Sequence, residues 1–202
     1  TWSKDKDGRD WIAVSCEGEG ARIWWPNKDH ITAEGDSVRM AYTVPSNLVA
    51  VGNGKLRSVK DLGSKTTYEW FVSNPINNYN ISVQIGNYVA VQDTFLKDSK
   101  THFMNHYVLD YNRELASNFF PQSKEVIRFY EKYFGDYQWY EDGYKLIEVP
   151  YLGMEHQSAV TYGNGFSMYN GVRSKSWPMY GVIDPLIIHE TGHEWFGNSV
   201  TA

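Results

Sequence analysis

The spacing of apolar residues changes once along this 202-residue chain, near His106. Before that point apolar residues recur at every second position, which is typical of half-buried strands. The clearest example is the run Val38, Met40, Tyr42 and Val44. After that point they recur at helical spacing, as in the stretch SKEVIRFYEKYFGDY, residues 123–137. The pattern predicts an α+β fold in which an antiparallel all-β N-terminal region precedes a mixed α/β region.

Turn and cap residues divide these two regions further. The triplets PSN (45–47) and GNG (52–54) are turn signals, and they predict hairpins in the β region. In the second region Ser123 is a candidate N-cap, and Gly135 is placed to end the same helix in a left-handed turn. Residues 163–180 are rich in glycine and aromatic residues, and this composition predicts a long irregular connection over the surface of a site.

Charge and cysteine content exclude several classes of protein. The net charge is −5 and the pI is about 5.7, so nucleic acid is not the expected partner, whereas a basic or positively ended substrate fits. The single cysteine, Cys16, excludes an internal disulfide and a Cys-rich zinc finger. No apolar run reaches the roughly twenty residues of a membrane span, and the N-terminus lacks a signal-peptide pattern. The compartment stays open between periplasmic or secreted and cytoplasmic.

The stretch IIHETGHEWFGN (187–198) carries the strongest chemical signal. Asp184 before it is a candidate N-cap, Pro185 suits the first helical position, and Gly197 is predicted to lie just past the helix end. Residues four apart on a helix lie on one face, so this segment directs the side chains of His189 and His193 toward a common point.

Two neutral imidazoles on one face are suitable ligands for zinc, and Glu190 lies close enough to act as a base on a metal-bound water. Cobalt or manganese would also accept such ligands. The alternative is that two histidines and a glutamate fell into this order by chance, which the well-capped helix makes less favourable. The pattern predicts metal-assisted hydrolysis of a polarised carbonyl.

A second pair, His102 and His106 in HFMNH, has the same spacing. Phe103 occupies the position that a base would need, and the segment lies where the pattern changes from strand to helix. We therefore interpret these two as surface or junction histidines rather than metal ligands.

Four stretches, in order, resemble the gluzincin peptidase family M1 of zinc aminopeptidases, the family of aminopeptidase N and leukotriene A4 hydrolase. HETGHEWFGNSVT resembles the family's H-E-x-x-H-x-W-F-G-N run, and YLGMEHQSAVTYGN (151–164) resembles its exopeptidase G-x-M-E-N segment. CEGEGARIWWPNKD and TVPSNLVAVGNGKL resemble the amine-binding and hairpin segments of its N-terminal β-domain.

The resemblance implies a role for each matching residue. His189 and His193 would be zinc ligands, and Glu190 would be the general base. Glu155 would bind the free α-amine of the substrate, and Glu17 would contact the same amine. Gly153 would let the substrate backbone approach closely, and Met154 would also bind the substrate. These seven residues are His189, His193, Glu190, Glu155, Glu17, Gly153 and Met154.

The chain departs from the family at two positions of the exopeptidase segment. Leu152 stands where the family has its first glycine, and His156 stands where it has asparagine. Both changes alter the shape expected of the first substrate pocket. His156 is interpreted as either a substrate-lining or a structural residue.

The resemblance also implies a fragment. Residues 1–107 would be the later part of the β-domain, and 108–202 would begin the thermolysin-like catalytic domain. The family's third zinc ligand, a glutamate, and its transition-state tyrosine would then lie beyond Ala202. Zn²⁺ is therefore expected to bind this chain weakly or not at all, and the chain alone is expected to be inactive.

The predicted function of the parent protein is hydrolysis of the N-terminal peptide bond of a peptide with a free N-terminus. Its other expected partners are the remaining catalytic and C-terminal domains. The alternatives are a thermolysin-like endopeptidase, which needs no amine anchor, and a catalytically dead binding relative. An epoxide hydrolase of the leukotriene type is a further possibility within the family.

Overall fold

The computed structural model describes residues 1–17, 20–28, 30, 33–166 and 183–200. Its strands are β1 (Trp2–Lys4), β2 (Asp10–Ala13), β3 (Glu34–Gly35), β4 (Val38–Pro45), β5 (Val49–Gly52), β6 (Lys55–Asp61), β7 (Lys65–Val72), β8 (Ile76–Asn77), β9 (Val83–Gly86), β10 (Tyr88–Lys97), β11 (Lys100–Leu109), β12 (Leu146–Glu148), β13 (Gly153–Met154) and β14 (Val160–Tyr162). Its helices are α1 (Ala21–Trp24), α2 (Arg113–Phe119), α3 (Ser123–Phe134) and α4 (Pro185–Gly192). Short 3₁₀ turns cover Asn78–Asn80, Asp110–Asn112 and Phe120–Gln122.

The first nine strands form antiparallel sheets. One sheet has the order β1-β2-β9-β5, a second has the order β4-β7-β6, and β3 pairs with β8. In β4, Met40 and Val44 are buried and Val38 and Tyr42 are partly buried, whereas the residues between them are exposed. The alternation predicted for this strand is therefore confirmed.

The remaining strands form one mixed sheet with the order β10-β11-β12-β14-β13. The hairpin of β10 and β11 is antiparallel, whereas β12 runs parallel to both β11 and β14. The expected boundary between residues 107 and 108 falls inside β11, and this strand pairs directly with β12 of the following region. The division into 1–107 and 108–202 remains a prediction.

Two apolar clusters lie on opposite faces of the mixed sheet. Leu146 of β12 belongs to the cluster that α2, α3 and α4 cover, and its neighbour Ile147 belongs to the cluster shared with the antiparallel sheets. Both side chains are fully buried. Alternation along one strand thus ties the helices to one face and the β region to the other.

The predicted fold class, α+β with an antiparallel β region first, is confirmed. The hairpins predicted at 45–47 and 52–54 are wrong, because β4, β5 and β6 follow one another in the chain but β5 pairs with β9 in a different sheet. The chain changes sheets at both turns. Most of the irregular connection predicted for 163–180 lies outside the described residues.

The predicted N-cap of helix α3 is wrong, whereas the residue predicted to follow its last turn is correct. Ser123 is not an N-cap, because a 3₁₀ turn leads straight into the helix and the Ser123 hydroxyl donates to the carbonyl oxygen of Phe120 at 2.7 Å. Gly135 does follow the last helical residue, with φ of 94°, as its lack of a Cβ allows, but its ψ of 174° differs from the left-handed helical conformation that was predicted.

His106 is a core residue, which corrects its interpretation as a surface or junction histidine. It lies well inside β11, is fully buried, and accepts a hydrogen bond on Nδ1 from the backbone N–H of Leu146 at 2.9 Å. Its ring packs edge-on against Phe120. Burial lowers the pKa of His106 to about 3. His102 is partly buried and packs against Tyr140.

Among the helices of the described residues, none has the length and hydropathy that a membrane crossing requires.

His106 predicts a pH-dependent stability. Its pKa is about 6.5 in the unfolded chain and about 3 in the folded protein, so the unfolded state binds more protons between these values. Stability should therefore fall as the pH is lowered below about 6.5. Between pH 7 and pH 4, His106 should account for a loss in the free energy of unfolding on the order of 3 kcal/mol.

Urea unfolding of the unmodified protein and of His106→Asn, which keeps an acceptor for the Leu146 N–H, measures this contribution. The variant should lose less stability on acidification, and His102→Asn on the same strand controls for removal of an imidazole. Equal pH dependence for the unmodified protein and His106→Asn would contradict the prediction.

Candidate active site

Asp184 fixes the start of α4. Its Oδ1 accepts a hydrogen bond from the backbone N–H of Leu186 at 2.7 Å, and its Oδ2 accepts hydrogen bonds from the hydroxyl of Tyr162 at 2.9 Å and the amide of Asn164 at 3.2 Å. Pro185 occupies the first helical position, so the predicted N-terminus is confirmed. The same carboxylate therefore caps the helix and anchors it to β14.

The end of α4 differs from prediction. Regular helix stops at Gly192 and does not reach Gly197. Beyond it the backbone hydrogen bonds become irregular: Glu194 N–H donates to the oxygen of Thr191 at 3.1 Å, three residues back, whereas Asn198 N–H donates to the oxygen of His193 at 2.9 Å, five residues back. His193 is the C-cap, still in helical conformation, so its ring keeps the four-residue relation to His189.

The imidazoles of His189 and His193 converge. Their Nε2 atoms are 3.3 Å apart and their ring planes are perpendicular. Nδ1 of His193 lies 2.8 Å from the carbonyl oxygen of Phe196, which can only accept, so the proton belongs on Nδ1 and the Nε2 lone pair is free for a ligand. The pKa of His189 is lowered, first by burial and then by the neighbouring His193.

This donor set fits zinc. Two nitrogens bound at about 2.0–2.1 Å around one tetrahedral ion are roughly 3.3 Å apart, which matches the Nε2 separation. Among the described residues, His189, Glu190 and His193 are the group of at least three potential ligands whose ligand atoms all lie within 4.8 Å of one another. Two imidazoles and a nearby carboxylate are ligands that zinc prefers.

Glu190 is buried beside this pair, with 6% of its surface exposed. Its pKa is raised to about 8, first by burial and then by the negative charges of Glu155 and Glu17. A cation held by the two histidines would lower the pKa of Glu190, because a positive charge favours the ionised carboxylate. The three acids therefore make this a site that favours a cation.

Gly153 lies directly against Glu190. A Cβ on Gly153 would lie 2.6 Å from Oε1 of Glu190 and 3.0 Å from Cδ1 of Leu186. The sequence predicted that Gly153 lets a substrate backbone approach. In the structure the close neighbour is the carboxylate of Glu190, so this glycine makes room for the acid itself.

The other predicted substrate residues lie around the same point. Glu155 is 9% exposed and accepts a long hydrogen bond of 3.4 Å from the hydroxyl of Tyr79. Glu17 is exposed, and its charge acts on both Glu190 and His189. Met154 is buried in a small apolar cluster with Cys16 and Tyr79. All seven predicted residues are thus brought to one region, while their roles remain predictions.

His156 has a structural position. It is fully buried, and its Nε2 lies 3.1 Å from the carbonyl oxygen of Val14, which also accepts a 2.7 Å hydrogen bond from the hydroxyl of Tyr151. Burial lowers the pKa of His156 to about 4, so the ring is neutral near neutral pH. Through Val14 the exopeptidase segment is joined to the strand end that leads to Glu17.

Sequence reasoning missed a buried polar network behind the site. Asn198 donates to the carbonyl oxygen of Glu155, and the N–H of Ser158 donates to Oε1 of Glu194, both at 2.8 Å. Lys145 donates to the carbonyl oxygen of Ser158 at 2.8 Å, and burial lowers the pKa of this lysine to about 7. Asn198 lies within the HETGHEWFGN stretch, which was the one available signal; the distant lysine gave none.

The sequence and fold have recognisable relatives. Residues 118–202 match the family model described as the Peptidase family M1 domain. The chain is 24% identical over 193 residues to a leucyl aminopeptidase of Saccharolobus solfataricus, covering 94% of this chain and 24% of that protein. It is 25% identical over 154 residues to a probable aminopeptidase 1 of Sulfurisphaera tokodaii, covering 75% of this chain and 19% of that protein. The chain thus spans about a quarter or less of these relatives.

Solved structures share the fold. An M1 zinc metallopeptidase from Deinococcus radiodurans matches with a TM-score of 0.76 and 18% identity, over 95% of this chain and 41% of that one. A mutant M1 zinc metallopeptidase from Deinococcus radiodurans, bound to a Tyr-Ser-Ala substrate, matches with a TM-score of 0.71 and 17% identity, over 99% of this chain and 42% of that one. At such identities the likeness establishes the fold.

The contact between Gly153 and Glu190 predicts that Gly153→Ala is damaging. The new methyl group must displace the Glu190 carboxylate or the Leu186 side chain, because a 2.6 Å approach is too short. Overpacking of this kind costs about 1–3 kcal/mol. Urea unfolding of the variant should show a loss of that size.

Gly35→Ala is the matched control. A Cβ at Gly35 would meet its nearest neighbour, the carbonyl oxygen of Ser37, at an ordinary 3.5 Å. This control should change stability by less than about 1 kcal/mol. The close contact would be disproved if both alanine variants were equally stable.

Proposed function

We propose that this chain, which is related to peptidase family M1, forms the part of a zinc aminopeptidase that binds the amino end of a peptide and supplies the catalytic base. One observation carries the proposal: the Nε2 atoms of His189 and His193 lie 3.3 Å apart beside the buried carboxylate of Glu190. The acids Glu155 and Glu17 act electrostatically on Glu190, so they belong to the same site.

His189 and His193 would hold the zinc through their Nε2 atoms. Bound zinc polarises a substrate carbonyl and lowers the pKa of water, which makes hydrolysis accessible at neutral pH. The hydrogen bond from Nδ1 of His193 to the carbonyl oxygen of Phe196 supports this role, since it orients the ring and leaves Nε2 unprotonated.

Glu190 would act as general base. Its carboxylate takes a proton from the attacking water and can return it to the leaving amine once the peptide bond breaks. The packing of Gly153 against this carboxylate restricts the positions it can take, which supports a fixed direction of proton transfer. Burial within the site also excludes bulk water from the carboxylate.

Glu155 and Glu17 would bind the substrate's free α-ammonium group. A carboxylate and an ammonium form a charge-assisted hydrogen bond, which an uncharged internal amide cannot replace. Because Glu155 comes from the exopeptidase segment and Glu17 from the β region, the two acids approach the amine from different parts of the fold. Their joint attraction would place the first peptide bond, rather than a later one, next to Glu190.

Glu155→Gln separates this proposal from the endopeptidase alternative. In the full-length parent protein, the variant should lose about 10–100-fold in kcat/KM on substrates with a free N-terminus, the range set by one hydrogen bond to a charged group. N-acetylated peptides of the same sequence should be cleaved as slowly as before. Exposed Glu114→Gln on α2 is the control.

Two results would point elsewhere. Unchanged cleavage of free-amine peptides by Glu155→Gln would favour an endopeptidase. No cleavage by the folded, zinc-bound full-length parent protein would favour a binding relative without catalysis.

Zinc binding by the 202-residue chain is testable separately. Two imidazoles supply only part of a coordination sphere, so we expect weak binding and little peptidase activity from this chain alone. Isothermal titration at pH 7 should give a dissociation constant well above that of a complete zinc site, and His193→Ala should weaken it further. Tight, stoichiometric binding would contradict this expectation.

A further inference from the structure

Asn198 makes hydrogen bonds to both sides of the candidate active site. Its backbone N–H donates to the carbonyl oxygen of His193 at 2.9 Å. Its side-chain amide donates to the carbonyl oxygen of Glu155 at 2.8 Å. A single residue thus connects a metal-binding candidate directly to the residue expected to hold the substrate amine.

The side chain of Asn198 is itself held in place. Its Oδ1 accepts a hydrogen bond of 2.6 Å from the amide of Asn80, and its Nδ2 also donates to Glu194 at 3.3 Å. Asn80 and Asn198 are both buried, with 0% and 4% exposure. In such a location a polar group that loses its partner is costly, so these bonds strongly restrict the geometry.

Asn80 contacts the same segment two residues further on. Its Oδ1 accepts a hydrogen bond from the backbone N–H of Gln157 at 3.1 Å. The amide of Asn53 bridges the carbonyl oxygens of Asn80 and Gln157 at 2.9 and 2.8 Å. Asn80 and Asn198 therefore hold the segment at residues 155 and 157, and its backbone cannot slide relative to the end of α4.

We propose that Asn198, supported by Asn80, is a positioning residue that sets the distance between the amine-binding carboxylate of Glu155 and the His189–His193–Glu190 group. The inference rests on the proposed function. That distance decides which bond of a bound peptide reaches Glu190. An error of about 1 Å can lower the rate roughly a hundredfold, although neither asparagine touches the substrate.

The chemistry of Asn198 explains why an amide is required. Its oxygen must accept from Asn80, while its nitrogen must donate to the carbonyl oxygen of Glu155. A carboxylate has the same shape but cannot donate. Asn198→Asp therefore places two oxygens against each other at the bond to Glu155 and keeps the bond from Asn80.

The test compares Asn198→Asp with the unmodified sequence in the full-length parent protein, using a free-amine peptide and its N-acetylated form. The ratio of kcat/KM for the two peptides measures amine-directed positioning. We expect this ratio to fall at least tenfold, mainly through a lower kcat on the free-amine peptide, while zinc content per folded protein is unchanged. Asn118→Asp is the matched control, because it removes an amide-to-carbonyl hydrogen bond on the exposed face of α2.

A merely structural role would give a different result. The midpoint of thermal unfolding would fall and less folded protein would be recovered, but the ratio of kcat/KM for the two peptides would stay the same per folded molecule. This outcome would overturn the inference. If Asn198→Asp does not fold, Asn80→Ala removes the support for Asn198 and leaves the bond to Glu155. It should lower the ratio in the same direction, and an unchanged ratio there would also overturn the inference.

Failure of the proposed function has its own signature. If Glu155→Gln leaves the ratio unchanged, the amine-binding role is wrong whatever Asn198 does. If Glu155→Gln lowers the ratio and Asn198→Asp does not, only the positioning role is wrong.

Discussion

The geometry of the candidate active site depends on the hydrogen bonds that the carboxylate of Asp184 accepts. One oxygen caps the N-terminus of α4, and the other binds Tyr162 and Asn164 at the end of the mixed sheet. The direction of α4 is therefore set by the sheet, and with it the direction of both imidazoles. Glu155 directly follows β13, which pairs with β14, the strand that carries Tyr162. The same strand thus helps to position both the two histidines and Glu155.

The negative charges of the acidic residues explain why the candidate active site favours a cation. Burial raises the pKa of Glu190, and the negative charges of Glu155 and Glu17 raise it further. Glu155 is held by hydrogen bonds from the hydroxyl of Tyr79 to its carboxylate and from the side-chain amide of Asn198 to its carbonyl oxygen. Under the proposed function, a metal ion and a substrate ammonium group would supply positive charge to balance these acids.

The sequence predicted the parts of the structure that local rules govern. Strand alternation in β4, the cap of α4 and the convergence of the two histidines follow from periodicity and helix geometry, and the resemblance to the M1 family was confirmed by the comparisons. It failed where distant contacts decide. The turns at 45–47 and 52–54 look like hairpins, yet the pairing of β5 with β9 separates their strands. His106 gave no sign of burial, because its partner Leu146 lies forty residues away.

The two neighbouring residues at the start of the exopeptidase segment have unequal freedom to vary. Gly153 touches the carboxylate of Glu190, whereas Leu152 has 49% of its surface exposed. Attempts to engineer new substrate preferences into this scaffold should therefore diversify position 152 and conserve position 153. In a mutant library, position 152 would then tolerate a broad range of side chains, and position 153 would retain glycine.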